Sequence, residues 1–300
     1  MSFRVDFHES VGDSLRRVAG ERLDDAIEQL DAEFARDPQA AVHEARKDAK
    51  KARALLRLYR GELDRATYRR ENQTLRDAAR ELSALRDADV LRDTVEDLAD
   101  RYVGHRPTAW FAALRDRVGD AQADGKSSEP AVAAARDRLT TARGRVDDWA
   151  VDGTEHSSLV DGVTRSYARG RKALARARRA PTDQRLHDWR KRVKDLRYQQ
   201  QLLRPAFPDV LSAQAKAAKA LAELLGDDHD LAVLDARLRE HPPAEVADAR
   251  ELIGHRRAEL QDEALRLGRR VYAESPKRFR QRIGRYLQAG SRDSRAAATT

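Results

Sequence analysis

The chain has 300 residues, of which 37% are charged, 40% are hydrophobic and 5% are aromatic, and it carries a formal charge of +8 with no cysteine. The lack of cysteine excludes disulfides, thiol catalysis and cysteine-ligated zinc. The Ala-, Leu-, Arg- and Asp-rich composition indicates an almost entirely helical protein with ion-paired surfaces. An excess of basic residues among so many acidic ones predicts a concentrated positive surface, which suits a polyanion.

Helical periodicity runs through the whole chain, with no convincing alternating strand pattern. Asp37-Pro38 has the pattern of a helix cap followed by proline in the first helical position. The helices predicted in the first half are Val11–Arg36, Asp37–Arg60, Arg65–Tyr102 (interrupted near Leu82–Asp87), Pro107–Ala123 and Pro130–Trp149. Loops are predicted at 124–130 and 151–158.

The second half repeats this plan. Thr182 or Asp183 can cap the helix that carries the second basic motif, and residues 291–300 are predicted to be disordered. The helices predicted here are Leu159–Arg179, His187–Arg204, Val210–Leu225, Asp230–Glu240, Pro243–Ala273 and Pro276–Leu287.

Two stretches share the pattern H-x-x-R-K-x-x-K-x-x-R. They are VHEARKDAKKAR at 42–53 and LHDWRKRVKDLR at 186–197, which lie 144 residues apart. A second pair, LSALRDADVL at 82–91 and LGDDHDLAVL at 225–234, is offset by 143 residues. Two matches with nearly equal offsets predict a duplicated unit and two similar helical bundles, at 1–150 and 155–290.

Each basic motif forms a cationic arc when it is placed on a helix. In the first copy the arc covers about 120° and an apolar face lies opposite. The first arc comprises His43, Arg46, Lys47, Lys50, Arg53 and Arg57. The second comprises His187, Arg190, Lys191, Lys194 and Arg197, with Tyr198 beside them.

Three features argue that these arcs bind an anion. Stacked like charges repel along a helix, whereas ordinary exposed helices mix signs. Lysine is also rare, with 10 Lys against 49 Arg, yet it recurs at 47 and 191 and at 50 and 194. Both histidines lie near helix starts, where the dipole favours anions. The alternatives are a solvated basic stripe and a capping or packing role for the histidines.

These motifs, in this order, resemble the CHAD family, the conserved histidine alpha-helical domain. The resemblance also rests on YARGRKAL at 167–174 and LGRRVYAESPKRFRQRIGRYL at 267–287, and it covers about Phe7 to Leu287. It implies an all-α fold in which two pseudo-twofold-related four-helix bundles face a central basic cavity and together make one CHAD domain. It also implies a non-catalytic module that binds inorganic polyphosphate, often at polyphosphate granules, without a cofactor.

The resemblance assigns polyphosphate binding to the residues of both arcs. It adds basic residues from the first helix of each half, which are Arg16, Arg17, Arg165, Arg169, Arg171 and Lys172. From the closing motif it adds Arg269, Tyr272 and Lys277.

Two alternative functions remain. The dipeptides His187-Asp188 and His229-Asp230 are similar to those of metal-dependent helical phosphohydrolases, but Arg190 and its basic neighbours repel divalent cations. We therefore predict no metal site and no catalytic residue, and we expect Asp227 and Asp228 to cap a helix. A nucleic-acid-binding helical protein is disfavoured because the arcs carry few aromatic residues and no helix-turn-helix motif is visible.

Without a signal peptide or an apolar span, we expect a soluble cytoplasmic protein with no membrane partner.

Overall fold

The computed structural model describes residues 3–83, 85, 87–119, 129–151 and 155–297. The prediction of an all-α fold is confirmed, because these residues form eleven α-helices and no β-strand, with two isolated bridges only. The helices are α1 (Val11–Glu28), α2 (Pro38–Leu58), α3 (Arg65–Glu81), α4 (Asp87–Arg101), α5 (Thr108–Gly119), α6 (Glu129–Arg143), α7 (Leu159–Arg179), α8 (Asp183–Leu202), α9 (Pro208–Leu238), α10 (Pro243–Val271) and α11 (Pro276–Ala297).

Polar caps begin the two helices that carry the basic arcs. The Asp37 side chain accepts a hydrogen bond from the Ala40 amide, and Pro38 occupies the first turn of α2, as predicted. The Thr182 side chain accepts from the Arg185 amide, so Thr182 caps α8. Both caps satisfy amides that have no partner within the helix, and they fix where each arc begins.

The predicted break between residues 225 and 230 is wrong, since α9 runs without interruption from Pro208 to Leu238. Asp228 is buried inside this helix and accepts hydrogen bonds from Arg257 Nε at 3.0 Å and Gln261 Nε2 at 2.8 Å. Asp227 and Asp228 are therefore not caps. The acidic residues suggested a helix start, but Asp228 instead joins α9 to α10.

The last helix also extends further than predicted. α11 continues to Ala297, so the part of the predicted disordered tail at 291–297 is helical, while 298–300 lie outside the described residues. Gly290 packs against the Ala206 backbone, where a Cβ atom would lie only 2.9 Å from Ala206 Cα. This close contact holds the helix beyond Leu287. The predicted loop at 124–130 falls largely outside the described residues, as does part of the one at 151–158.

Within each half, helices that are close in the sequence pack against one another. In the first half, α1 and α3 each contact both α2 and α6. In the second half, α8 packs between α7 and α9, and α11 contacts α7. The halves meet through α2, which contacts both α7 and α8. These contacts place the two arc-bearing helices next to each other.

Two apolar clusters hold these helices together. The main cluster extends from Val5 to Leu287 and joins buried residues from both halves, including the fully buried Trp189 of α8. The second combines buried side chains of α4, α5, α9 and α10, such as Leu98 and Ile253. Among the described residues, no helix is both long enough and apolar enough to cross a membrane. The domain boundary near residue 150 stays a prediction.

Candidate anion-binding site

The α2 arc faces the following helix, α3. Arg46 Nη2 donates to Ser83 Oγ at 3.1 Å, just beyond the end of α3. Two turns into α3, Asn72 Oδ1 accepts from both Arg53 Nε and Arg57 Nη2 at 3.4 Å. Ser83 and Asn72 are neutral partners, so these hydrogen bonds orient the guanidinium groups without adding negative charge.

The α8 arc faces α9 in a corresponding way. The His187 and His229 rings lie 4.5 Å apart with an interplanar angle of 31°. Arg190 lies against α9 at Gly226, where a Cβ atom would come within 3.0 Å of Arg190 Nη2. Glycine at this position therefore leaves the space that the Arg190 side chain occupies.

A partly buried ion pair joins the two arc-bearing helices where they cross. Arg57 Nη1 lies 2.8 Å from Asp195 Oδ1, and Arg192 Nη1 lies 3.1 Å from Asp195 Oδ2. Gln199 Nε2 donates to the Ala54 carbonyl oxygen at 3.1 Å. Along α2 the contacts run from Ala54 to Arg57, while their partners on α8 run backwards from Gln199 to Asp195. The two helices therefore cross in opposite directions.

A small cavity opens beside this crossing, between α2, α3 and α7. Its volume is about 240 Å³, and it is surrounded by guanidinium groups with one phenol ring and one hydroxyl. Its lining residues are Arg57, Arg60, Tyr68, Arg165, Ser166, Ala168 and Arg169. We call this cavity the arginine pocket. Arg60 lies over the Tyr68 ring at 5.1 Å.

The guanidinium groups at the pocket repel one another. Burial lowers the pKa of Arg53 to about 10, and the charges of Arg57 and Arg76 add to this effect while Asp195 opposes it. Burial also lowers the pKa of Arg169, and the positive charges of Arg192 and Arg57 contribute. A lowered arginine pKa means that the protonated group is destabilised here, chiefly by burial and further by the neighbouring positive charges.

The chain also matches a known protein family. The sequence model of the CHAD domain family matches residues 17–239, which is most of the chain. The chain belongs to the CHAD domain family. A search of curated proteins gave no match.

The CHAD match contains both arcs, the crossing and the arginine pocket. It ends just after α9, so it is shorter at both ends than the resemblance had suggested. Four of the predicted binding residues lie outside the matched range, which are Arg16, Arg269, Tyr272 and Lys277.

Several predicted residues lie away from the pocket in ion pairs of their own. Arg16 Nη2 is 2.7 Å from Asp13 Oδ1, and Arg17 Nε is 2.7 Å from Glu9 Oε1. On α2, Lys47 Nζ is 2.6 Å from Glu44 Oε2. These contacts neutralise part of the charge within the same helix or the N-terminal segment.

The remaining predicted residues have varied positions. Arg171 donates to the backbone oxygen of Glu274. His43 is exposed, and Lys50 and Lys194 are partly exposed along the arcs. Four more of the predicted binding residues are exposed, which are Lys172, Lys191, Arg269 and Lys277. The structure thus brings Arg53, Arg57, Arg165 and Arg169 together beside the crossing of α2 and α8. The other predicted residues named here are not among the lining residues of the arginine pocket.

Both predicted tyrosines are buried. Tyr198 is 6% exposed, with its ring edge-on to Phe3 at 6.1 Å and Arg197 over its face at 5.4 Å. Burial raises the pKa of Tyr198. Tyr272 is 3% exposed, and a Cβ atom on Gly170 would lie 2.2 Å from its hydroxyl oxygen. Burial likewise raises the pKa of Tyr272, so both phenols stay protonated.

Five groups at the site were not predicted from the sequence. Arg60 and Tyr68 follow the basic motif, Asn72 lies on the next helix, and Arg192 and Asp195 fall off the α8 arc. The signal available for Arg60 was its position one turn after Arg57. No local signal points to Asp195, because its role depends on the crossing with α2.

The two His-Asp dipeptides also come together, although in a basic environment. Burial and the charges of Lys191, His229 and Arg190 lower the pKa of His187 to about 4.

A separate cavity of about 400 Å³ lies beyond α9. It is lined by Asp93, Asp97, Asp227 and Asp230 together with Arg101 and Arg256. Within the described ranges, no group of three or more His, Asp or Glu residues is arranged to hold a metal ion.

Proposed function

We propose that this CHAD domain binds inorganic polyphosphate as a non-catalytic module. The observation that carries the proposal is the set of guanidinium groups around the arginine pocket, where Asp195 is the carboxylate bonded to Arg57 and Arg192. Placing like charges together costs stability, and an anion with several phosphate oxygens would offset that cost. Membership of the CHAD family supports the same ligand.

The composition of the pocket favours a phosphate chain over a nucleic acid. Proteins that bind single strands generally stack bases on exposed aromatic rings. Tyr68 is the aromatic residue that lines the arginine pocket, and Arg60 already covers its ring. Polyphosphate has no bases and about one negative charge per phosphate, so closely spaced cations suffice to hold it.

We also propose that the chain is an internal duplication, with two bundles related by pseudo-twofold symmetry around a basic cavity. Corresponding helices begin 143 to 148 residues apart, at Val11 and Leu159, Pro38 and Asp183, and Arg65 and Pro208. Each arc faces the helix that follows it, and α2 and α8 cross in opposite directions. A twofold axis near this crossing would produce both features.

The binding test is a calorimetric titration with long-chain polyphosphate, double-stranded DNA and RNA at two salt concentrations. We expect polyphosphate to bind tightest at both. Polyphosphate binding no tighter than DNA binding would overturn the proposal. Release of phosphate that depends on Mg²⁺ or Mn²⁺ would instead support the metal-dependent phosphohydrolase.

A pair of substitutions tests the arginine pocket itself. Arg165 and Arg169 line the pocket without an ion pair among the described residues, so their replacement by Gln removes binding charge without breaking a contact. We expect affinity for polyphosphate to fall about tenfold, with unchanged or higher thermal stability because repulsion is relieved. The control is Lys216→Gln with Lys219→Gln, which removes two exposed cations from α9. Equal losses in the two variants would mean diffuse electrostatic attraction instead of a site.

Granule association is a further part of the proposal. A polyphosphate-binding module should accompany the polymer where a cell stores it. Co-localisation of the fluorescently tagged protein with stained polyphosphate granules, lost in the Arg165→Gln and Arg169→Gln variant, is the expected result.

A further inference from the structure

A row of five cations extends along the outer face of α7. Successive members are separated by four, three, four and three residues, and all are exposed. With 3.6 residues per turn they fall within about 80° of the helix circumference. We call this row the α7 stripe, and its members are Arg165, Arg169, Lys172, Arg176 and Arg179.

The α7 stripe is not neutralised within the part of the chain that the structure describes. None of its five members forms an ion pair there. The acidic residue of α7, Asp161, is held by Arg280 Nε at 2.8 Å. In contrast, Arg16 and Arg17 of α1, the first helix of the other half, both pair with carboxylates. Like charges three and four residues apart destabilise a helix, so the stripe carries a cost that α1 avoids.

The helix dipole explains only the end of this stripe. Cations are stabilised in the last turn of a helix, where the backbone carbonyls have no partners, and this accounts for Arg176 and Arg179. It does not reach Lys172 or the two pocket arginines. Arg178 lies in the same last turn but points away from the stripe on the helical wheel. It therefore gains from the helix dipole without belonging to the stripe, which makes it a suitable control.

The stripe is continuous with the arginine pocket. Arg165 and Arg169 line the pocket, and the stripe continues from Arg169 to Arg179 over 10 residues, or about 15 Å at 1.5 Å per residue. Beyond the pocket, neighbouring cations are about 5–6 Å apart on a convex helix surface. A compact anion can contact about two of them at once, whereas a linear anion can contact all of them.

We infer that the α7 stripe is a track for the polyphosphate chain outside the arginine pocket, so that the protein distinguishes long chains from short oligophosphates. This inference rests on the proposed function. The exposed face of α7 carries no aromatic residue, because Tyr167 is buried, which favours a phosphate chain over single-stranded nucleic acid as the occupant.

The test compares two variants that each lose three positive charges. The stripe variant is Lys172→Gln, Arg176→Gln and Arg179→Gln, and the control is Arg178→Gln, Lys216→Gln and Lys219→Gln. Both keep helix-favouring residues at exposed positions, and circular dichroism with thermal unfolding checks that the fold is retained. The probes are tripolyphosphate and long-chain polyphosphate, titrated at several salt concentrations.

In the stripe variant we expect about tenfold weaker binding of long-chain polyphosphate. The slope of log affinity against log salt should become shallower by about 2, since three phosphate contacts are lost. Tripolyphosphate, which fills the pocket, should bind as it does to the unmodified protein. The control variant should resemble the unmodified protein with both probes.

Two results would overturn the track. One is an equal loss of long-chain affinity in the stripe and control variants, and the other is an equal loss for tripolyphosphate and long-chain polyphosphate in the stripe variant. Failure of the proposed function has a different signature. In that case the unmodified protein binds neither phosphate probe, or binds long-chain polyphosphate no tighter than double-stranded DNA.

Discussion

Arg57 and Asp195 form the ion pair that joins the two basic helices, with Arg57 Nη1 at 2.8 Å from Asp195 Oδ1 and side chains that are 17% and 11% exposed. Asp195 also accepts from Arg192. Its charge opposes the lowering of the pKa of Arg53 and of Arg169 that burial and the neighbouring positive charges cause. One carboxylate therefore holds a group of arginines together in the absence of ligand.

Replacing Asp195 by Asn should destabilise the protein by about 2 kcal/mol, because two partly buried arginines lose their counterion. Added polyphosphate should then raise the melting temperature more in this variant than in the unmodified protein, since the anion substitutes for the lost carboxylate. Urea unfolding and thermal scans with and without polyphosphate measure both effects. Asp188→Asn is the control, because Asp188 is exposed and its contact with Lys191 is 3.5 Å long. Equal stabilisation by polyphosphate in all three proteins would contradict this role.

The helices and the arcs could be predicted because they depend on local pattern. The cap at Asp37 and the repeated spacing of cations on α2 and α8 are visible in the sequence itself. Asp195 could not be found in this way, since on a helical wheel it falls outside the arc. Its importance comes from the crossing of α2 and α8, which brings together residues 138 positions apart.

The error at α9 has the same origin. Gly226 and the aspartates that follow it have the local character of a helix break. In the structure Gly226 makes room for Arg190, and Asp228 accepts from Arg257 on α10. These residues make contacts between helices. Such a tertiary contact overrides the local preference, and it cannot be recognised from a single sequence.

The arcs can be tested by charge reversal. Lys50 and Lys194 occupy matching positions of the two arcs, so replacing both by Glu should weaken polyphosphate binding at least about a hundredfold, through lost attraction and new repulsion. The same reversal at Lys216 and Lys219 changes the net charge equally. Titration calorimetry at one salt concentration makes the comparison. Equal losses would show that overall charge, and not the arcs, determines affinity.

The close approach of α7 to α2 gives a prediction about packing. A Cβ atom on Gly162 would lie 1.9 Å from the Leu58 carbonyl oxygen, so Gly162→Ala must push α7 away from α2. We expect a loss of about 2–3 kcal/mol in unfolding free energy. Affinity for polyphosphate should also fall, because the arginine pocket lies between these helices.

The control for Gly162 is Gly254, which lies within α10 and has no atom within 4 Å of its ideal Cβ position. Gly254→Ala should stabilise the protein by about 0.5–1 kcal/mol, because alanine favours the helix, and it should leave binding unchanged. Chemical denaturation followed by titration of each folded variant measures both quantities. If Gly162→Ala is as well tolerated as Gly254→Ala, the contact between α7 and α2 is looser than described.

The pH dependence of stability should report on His187. Burial and the nearby charges of Lys191, His229 and Arg190 lower the pKa of this histidine from 6.5 to about 4, while Asp188 opposes them. The unfolded chain therefore binds a proton more readily than the folded protein does. This stabilising contribution is fully present above about pH 6.5 and is lost as the pH falls towards 4. The loss should be absent from His187→Asn in urea unfolding between pH 7 and pH 4.5.

The same histidine should link polyphosphate binding to proton uptake. A bound phosphate chain offsets the positive charges of Arg190 and Lys191, so it raises the pKa of His187 and binding takes up a proton. Affinity should therefore increase as the pH falls from 7 towards 5. Calorimetry at pH 6 in two buffers with different ionisation enthalpies measures the number of protons taken up. His187→Asn should reduce that number, and His43→Asn, which replaces the exposed histidine of the other arc, is the comparison. Proton uptake that persists unchanged in His187→Asn would assign the linkage to another group.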